Sequence, residues 1–273
     1  HYMVKGDSNH EDTEAVKLTV TIGKATLTNV SVKQSGALTY NGNAQTASVT
    51  ASADAKGGQS VTFTYSTAED GTYGDMPSFT NAGTYTVWYK AAADNHETAS
   101  GSFEVTIAKA ALENVSAAQS GALTYNGNAQ TASVTASATA KGDQRVTFTY
   151  STEKDGTYGT MPSFTNAGTY TVWYKAAAAN HETASGSFTV TIAAKTVSAP
   201  TIELSGAPFV YDNGKEIEPA VTVKDGNTTI PASEYTVSYS DNTNAGTATV
   251  TVTDKEGGNY TVSGSTTFTI KPA

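Results

Sequence analysis

The chain has 273 residues and no cysteine, so no disulfide framework can hold it, and its length allows several domains that each bury a core. Charged residues make up 15% of the sequence, the formal charge is −9, and Lys and Arg form no cluster, which argues against nucleic acid as a partner. Thr, Ser, Ala, Gly and Tyr dominate the strand-like stretches, and no segment is typical of a long helix or a membrane span. The composition therefore predicts an all-β protein without membrane insertion.

The first predicted element is a hairpin over residues 1–22, because this segment is similar to a later part of the chain. His1-Tyr2 matches Trp88-Tyr89, and Leu18 to Ile22 matches Phe103 to Ile107 in its alternation of apolar and polar residues. We interpret residues 1–22 as the C-terminal hairpin of a preceding repeat, and the chain as a monomeric fragment of a longer protein. An isolated hairpin is marginal in water, so this one should fray or join another sheet.

A long segment that follows occurs twice. The 84 positions from Lys24 to Ile107 align without a gap onto Lys109 to Ile192, and only 12 of them differ. A diverged third copy comes next, in which Asn244-Ala245-Gly246 matches Asn81-Ala82-Gly83. Tandem self-similarity of this kind is typical of repeat arrays, and the very short connections between copies predict an elongated one. The predicted domains are residues 23–107, 108–192 and 193–273.

Within each repeat, polar residues alternate with β-branched and aromatic ones along several short segments, which predicts strands. In the first copy these segments are residues 24–32, 45–53, 59–65, 83–90 and 102–107. About seven short strands separated by turns predict an antiparallel β-sandwich. The residues predicted to face its core are Val61, Phe63, Tyr85, Val87, Val105 and Ile107, with their equivalents 85 residues later.

Asn41-Gly42 marks a tight turn between two of these segments. Asn-Gly is the typical pair of a two-residue hairpin turn in which both central residues have positive φ. Asn126-Gly127 repeats it in the second copy, and Asp212-Asn213-Gly214 matches it in the third.

The stretch from Ser78 to Val87 resembles strand F of immunoglobulin-like domains. In that strand an Ala-Gly or Ser-Gly turn precedes a tyrosine whose hydroxyl folds back on the corner, and Tyr85 lies at this position. The resemblance implies that Val87 stands where antibody domains have their second cysteine. The third copy has Ala248 instead of the tyrosine, so the corner bond is not expected there.

Taken whole, the copies look like the bacterial Ig-like modules of the MBG/YDG type. The residues that carry this resemblance are the Tyr-Asn-Gly turns, the Ala-Gly-Thr turns and the closing Val-Thr-Ile or Phe-Thr-Ile strands. The resemblance implies tandem Ig-like sandwiches on a cell-surface protein of Gram-positive gut Firmicutes, with a spacer or adhesive role outside the cell. It supplies no catalytic residue and no cofactor.

Trp88 and Trp173 are the only tryptophans, one in each near-identical copy, and they are the candidate ligand-binding residues. Period-two alternation places Tyr85 and Val87 on one face of the strand and Trp88 on the other. If the Tyr and Val face is the core, each Trp faces outward, where a ring beside hydroxyl groups can stack on a sugar or anchor a protein contact. The alternative is that a hairpin such as Ser66 to Gly74 folds over each Trp.

His10, His96 and His181 each lie in an Asn-His-Glu turn. A metal site needs several converging ligands, and one His per unit without Cys does not supply them, so we expect each His to bond its neighbours and predict no metal. The acidic loop residues are too scattered for a calcium loop. They are Asp70, Asp75, Asp94, Asp212 and Asp225.

Lys24 and Lys109 open the first strands of their repeats, and Asn81 or Asn95 could serve as partners of a Lys–Asn amide crosslink. Such a bond also needs a buried carboxylate, which no strand supplies in the predicted pattern. We therefore expect both ammonium groups to be solvated.

The sequence is compatible with two functions. The first is a non-catalytic structural, spacer or adhesive region of an extracellular, bacterial cell-surface protein. The second is a binding module for a host glycan or a host protein such as mucin or immunoglobulin, in which two weak sites add avidity. No serine in a Gly-x-Ser-x-Gly elbow has an assignable His and acid partner, so we do not expect an enzyme.

Overall fold

The computed structural model describes residues 1–273, the whole chain. Its regular structure is almost entirely β-strand, and the only helices are 3-10 turns at Lys56–Gly58, Lys141–Asp143 and Ala232–Glu234. No helix is both long and apolar enough to cross a bilayer. The predicted all-β fold of tandem Ig-like sandwiches is confirmed.

The chain forms two compact units, one of residues 1–110 with 141–143 and one of residues 111–140 with 144–273. Strand pairing stays within residues 28–108, 113–193 and 195–271.

The first unit contains eight strands of the first repeat. They are β1 (Thr28–Gln34), β2 (Leu38–Thr39), β3 (Gln45–Thr46), β4 (Val49–Asp54), β5 (Thr62–Ser66), β6 (Ser78–Phe79), β7 (Gly83–Ala92) and β8 (Ala99–Ala108). One sheet has the order β2-β8-β7-β5, antiparallel except for the short parallel pair of β2 with β8. The antiparallel pairs β1-β4 and β3-β6 complete the sandwich.

Alternation along β7 and β8 builds the core of this repeat. Val87, Val105 and Ile107 are at most 1% exposed, and Tyr85 packs against the same apolar residues, so the predicted parity is confirmed for these four. Val61 and Phe63 were also predicted in the core, but they are only half-buried. The reason is that Phe63 lies in β5, which forms the edge of the sheet, and Val61 directly precedes this strand, so fewer side chains can cover them.

The tyrosine corner predicted from strand F is present. The Tyr85 hydroxyl donates to the Asn81 carbonyl oxygen at 2.8 Å, and the Tyr85 ring stacks on Phe79 with centroids 4.0 Å apart. Tyr170 makes the same bond to Asn166 in the second repeat. Each hydroxyl thereby holds the turn that leads into the central strand.

The side chain of Gln34, the last residue of β1, connects the β1-β4 pair to β8 through hydrogen bonds. Its Oε1 accepts the backbone N–H of Thr106 at 2.7 Å, and its Nε2 donates to the Thr106 carbonyl oxygen at 3.2 Å. The carboxamide thus pairs with one residue of β8 as a short piece of strand would. Gln119 and Thr191 repeat the arrangement in the second copy.

The turn at Asn41-Gly42 differs from the predicted hairpin turn. Gly42 has a φ of 88°, but Asn41 does not have positive φ, and its Oδ1 instead accepts the Asn43 N–H at 2.9 Å. The prediction was wrong because β2 and β3 pair with β8 and β6 and not with each other. The third copy does have positive φ at both positions, 50° at Asn213 and 81° at Gly214.

Residues 1–27 contain no strand. Tyr2 and Val16 exchange two backbone hydrogen bonds of 3.0 and 2.9 Å, which form an isolated bridge. Leu18, Val20 and Ile22 are 67%, 75% and 91% exposed, whereas the matching residues of β8 are buried. The predicted hairpin is therefore reduced to this bridge and one further backbone hydrogen bond between its arms, from the Thr13 N–H to the Val4 carbonyl oxygen at 3.0 Å, and it joins no other strand.

The second unit contains the second repeat and the third module. The strands of the second repeat are β9 (Glu113–Ser120), β10 (Leu123–Thr124), β11 (Gln130–Thr131), β12 (Ser133–Thr139), β13 (Thr147–Ser151), β14 (Ser163–Phe164), β15 (Gly168–Ala177) and β16 (Ala184–Ala193). They pair as their counterparts in the first repeat do, with the sheet order β10-β16-β15-β13. Val172 and Val190 are fully buried in its core.

The third module keeps the sandwich without the tyrosine corner. Its strands are β17 (Lys195–Val197), β18 (Thr201–Ser205), β19 (Phe209–Val210), β20 (Ala220–Asp225), β21 (Thr228–Thr229), β22 (Tyr235–Ser240), β23 (Gly246–Asp254), β24 (Tyr260–Val262) and β25 (Gly264–Lys271). The main sheet has the order β19-β25-β23-β22, and Ala248, Val250 and Val252 of β23 are fully buried. The aromatic residues Phe209, Tyr211, Tyr235 and Tyr239 pack against the core of this module.

The assignment of which side chains of β7 point into the core can be tested directly. Val87→Ala should lower the free energy of unfolding of the first repeat by about 1 to 3 kcal/mol, because it removes buried methyl groups and leaves a cavity. Thr86→Ala, at the exposed neighbouring position, should be nearly neutral. Chemical denaturation followed by Trp88 fluorescence in a Trp173→Phe background measures both variants. A larger loss for Thr86→Ala would show that the strand faces the other way.

Candidate functional site

Trp88 and Trp173 lie on the outer face of the main sheets of their repeats. Trp88 in β7 pairs with Ser66 of β5 on one side and with Ser102 of β8 on the other. Because Val87 points into the core, the pleat directs the Trp88 side chain to the opposite face. Trp173 has the equivalent pair of serine neighbours in the second repeat. Both tryptophans are half-buried.

The hairpin from Ser66 to Gly74 reaches this outer face. Tyr65 and Gly74 exchange backbone hydrogen bonds of 2.8 and 2.9 Å, and the Tyr73 hydroxyl donates to the Glu69 carbonyl oxygen at 2.8 Å. The ammonium of Lys90, two residues after Trp88 on the same face, lies 4.0 Å from the Tyr73 ring centroid. The first Trp surface therefore consists of Trp88, Lys90 and Tyr73, with serine and threonine hydroxyls around them.

The second Trp surface, around Trp173, has the same aromatic residues as the first Trp surface but a different charge. Lys175 lies over the Tyr158 ring at 4.2 Å, and Lys154 adds a second ammonium 5.7 Å from the Trp173 ring centroid. In the first repeat Glu69 occupies the position of Lys154. A cation over an aromatic face is weakly attractive at exposed sites, so Lys154 both covers the Trp173 ring in part and makes its surroundings positive.

The third module has no ring at this place. Thr251 pairs with Ser238 and Ser265 as Trp88 pairs with its two serines, and the neighbouring outer positions also carry hydroxyls. Thr236 and Thr253, for example, are joined at 2.6 Å through their Oγ1 atoms. A surface built on a Trp is thus confined to the two near-identical repeats.

The sequence pattern indicates the tryptophans but not the tyrosines that contact the neighbouring lysines. Tyr73 and Tyr158 lie in Gly-Thr-Tyr-Gly turns, which looked like connections only. Their occurrence at the same place in both copies was the available indication.

His96 has a structural role between β7 and β8. It is 5% exposed, its Nε2 accepts the Lys56 backbone N–H at 2.9 Å, and its Nδ1 donates to the Asp94 carbonyl oxygen at 2.7 Å. The expected neighbour bonds are confirmed, and one of them reaches 40 residues along the chain. His10 is exposed and contacts Asp7 at 2.8 Å. His181 is buried, and its Nδ1 donates to the Ala179 carbonyl oxygen at 2.7 Å.

No group of three or more His, Asp or Glu side chains is placed to hold a metal ion. Lys24 and Lys109 are both exposed at the starts of their repeats.

His96→Ala should destabilise the first repeat by about 1 to 3 kcal/mol, because the buried imidazole is removed and the Lys56 N–H loses its acceptor in a partly buried place. Denaturation followed through Trp88, with Trp173→Phe as background, reports this repeat alone. His10→Ala is the matched control, since its ring is solvated and its removal should leave the midpoint unchanged. Equal midpoints for the two variants would contradict the role given to His96.

The family of the chain follows from its sequence matches. Residues 19–111 and 117–196 match the MBG domain, and residues 213–271 match the bacterial Ig-like domain of group 3. No curated protein matches the chain.

Several solved structures are similar at low identity. A Drosophila N-cadherin EC1-4 fragment is 13% identical with a TM-score of 0.32, covering 90% of this chain and 76% of that one. The eight N-terminal Ig domains of DSCAM are 9% identical with a TM-score of 0.34, covering 93% of this chain and 37% of that one. Titin domains I67–I69 are 10% identical with a TM-score of 0.28, covering 93% and 100%. The family assignment rests on the sequence-family matches alone.

MBG and bacterial Ig-like domains are structural or adhesive modules of extracellular type and are not enzymes in kind. The MBG matches cover more than half of the chain. The chain therefore belongs to the MBG domain family, with a bacterial Ig-like domain of group 3 as its third module.

Proposed function

We propose that the chain is a non-catalytic spacer in a cell-surface protein of a Gram-positive bacterium, where it holds another functional domain away from the wall. The supporting observation is where the two repeats differ. At all 12 differing positions the residues are exposed in both copies, except Val32 and its counterpart Ala117, which are half-buried. The fully buried residues are thus identical, as expected when the sandwich itself is the repeated element.

The surroundings of the two tryptophans also favour a spacer. A ligand bound in the same way by both repeats would require the same charges around each ring. Glu69 is replaced by Lys154, and Glu104, diagonal to Trp88 on the neighbouring strand, is replaced by Thr189. Charges of opposite sign beside a ring favour different ligands, so a shared ligand is disfavoured.

A second candidate function is a binding module for a host glycan or a host protein. The observation that favours it is the partly exposed ring of each Trp beside serine, threonine and lysine side chains, a combination that can stack on a sugar and donate hydrogen bonds to it. Lys154 and Lys175 would give the second repeat a preference for a ligand with an anionic group.

A screen on arrays of host glycans and host proteins separates the two functions. The unaltered chain is compared with a Trp88→Ala, Trp173→Ala double variant and with a Thr50→Ala, Thr135→Ala control, at exposed positions of β4 and β12 outside the sheets that carry the tryptophans. A spacer should give no signal above background for any of the three proteins.

Binding by the unaltered chain and by the threonine control, lost in the tryptophan variant, would overturn the spacer function and support the second candidate. Binding that survives in all three proteins would also contradict a spacer and would place the ligand away from both tryptophans.

A further inference from the structure

Within the second unit the chain passes from the second repeat into the third module with one residue between strands. β16 ends at Ala193 and β17 begins at Lys195. β17 pairs in parallel with β24 of the third module, and the Lys195 N–H donates to the Asn259 carbonyl oxygen at 2.9 Å. The connection is therefore part of a sheet and not a loose linker.

Asn259 contacts both modules. Its side-chain Oδ1 accepts the backbone N–H of Ala167 at 2.8 Å, and Ala167 lies in the turn that leads into β15 of the second repeat. This bond joins residues that are 92 positions apart in the chain. Asn259 is half-buried, so water competes for the bond less than it would at an open surface.

Glu234 fixes the orientation of the Asn259 carboxamide. One carboxylate oxygen, Oε1, accepts the Nδ2–H at 3.0 Å, and the other, Oε2, accepts the Asn259 backbone N–H at 2.6 Å. Because the amide nitrogen is held by Glu234, the amide oxygen has to point to Ala167. The acceptor is thus oriented by a contact within the third module itself.

An aromatic contact accompanies these bonds. The Tyr125 ring of the second repeat meets the Tyr260 ring of the third module edge-on, with centroids 5.3 Å apart and planes at 75°. Burial raises the pKa of the Tyr260 hydroxyl, in line with a contact that excludes water.

We infer that Asn259, positioned by Glu234, is a latch that docks the third module onto the second repeat and makes the third module stabilise its neighbour. A single hydrogen bond of ordinary strength changes a docking equilibrium by roughly two- to tenfold. The test of this latch does not depend on whether either Trp surface binds a ligand, so its outcome is distinct from that of the proposed function.

The placement of the tryptophans allows the latch to be tested in the whole chain. The third module has no Trp, so in a Trp88→Phe background the fluorescence of Trp173 reports on the second repeat alone. Asn259→Ala changes only the third module. Asn227→Ala, at an exposed turn between β20 and β21, is the matched control.

With Asn259→Ala the denaturation midpoint of Trp173 should fall, and the folded-to-unfolded ratio of the second repeat should drop roughly two- to tenfold. Asn227→Ala should leave both unchanged. A Trp173 transition that Asn259→Ala does not move would overturn the latch.

Hydrogen exchange at the core strands β23 and β25 shows whether the third module remains folded in the variant. Should Asn259→Ala unfold that module, Asn259→Asp takes its place. The carboxylate keeps an acceptor for Ala167 but faces the Glu234 carboxylate with like charge, so the Trp173 midpoint must still fall. An unchanged midpoint with Asn259→Asp would overturn the latch equally.

Discussion

The antiparallel register between β7 and β8 is the constraint on which the rest of each repeat depends. It pairs Val87 with Phe103 and Tyr85 with Val105 on the inner face, and it pairs Trp88 with Ser102 on the outer one. Because side chains alternate along a strand, a slip of one residue would turn the apolar row to water and the Trp row inward. The tyrosine corner, the core and the Trp surface are therefore consequences of a single pairing.

Features that follow from alternation along one strand could be predicted from the sequence. The burial of Val87 and the bond from the Tyr85 hydroxyl are local in this sense, since each depends on a few neighbouring residues. Features that depend on distant partners could not be predicted. The Asn41-Gly42 turn takes another form because its two flanking strands pair with different strands. The Nε2 of the buried His96 accepts the backbone N–H of Lys56, which is 40 residues away. The contact of the Lys90 ammonium with the Tyr73 ring likewise depends on a separate hairpin, which carries Tyr73 to the outer face.

A comparison of the two repeats shows that the fold restricts changes to its buried residues far more than changes to its surface residues. Ten of the 12 differences change a formal charge, and no fully buried residue differs. Close packing explains the interior, since a change of even one methylene group is felt in a core, whereas an exposed charge usually alters stability little. Surface charge is thus the property in which one copy can differ from the other without loss of the sandwich. Lys154 lies beside Trp173, and the equivalent residue in the first repeat is Glu69. This charge difference affects which ligand each repeat could bind.

The third module shows which parts of the pattern the sandwich needs. It has Ala248 in place of the corner tyrosine and Thr251 in place of the Trp, yet β23 still buries Ala248, Val250 and Val252 in alternate positions. Alternation is therefore sufficient for the sheet, and the outer ring is an addition to it. What the third module has instead is a set of contacts to its neighbour, in which Asn259 accepts the Ala167 N–H and Tyr260 meets Tyr125. Since the chain also crosses between these modules with only Ala194 outside the strands, relative motion would have to break a strand pairing or these contacts. A connection of this kind resists bending at the junction, which is what the proposed spacer function requires of it.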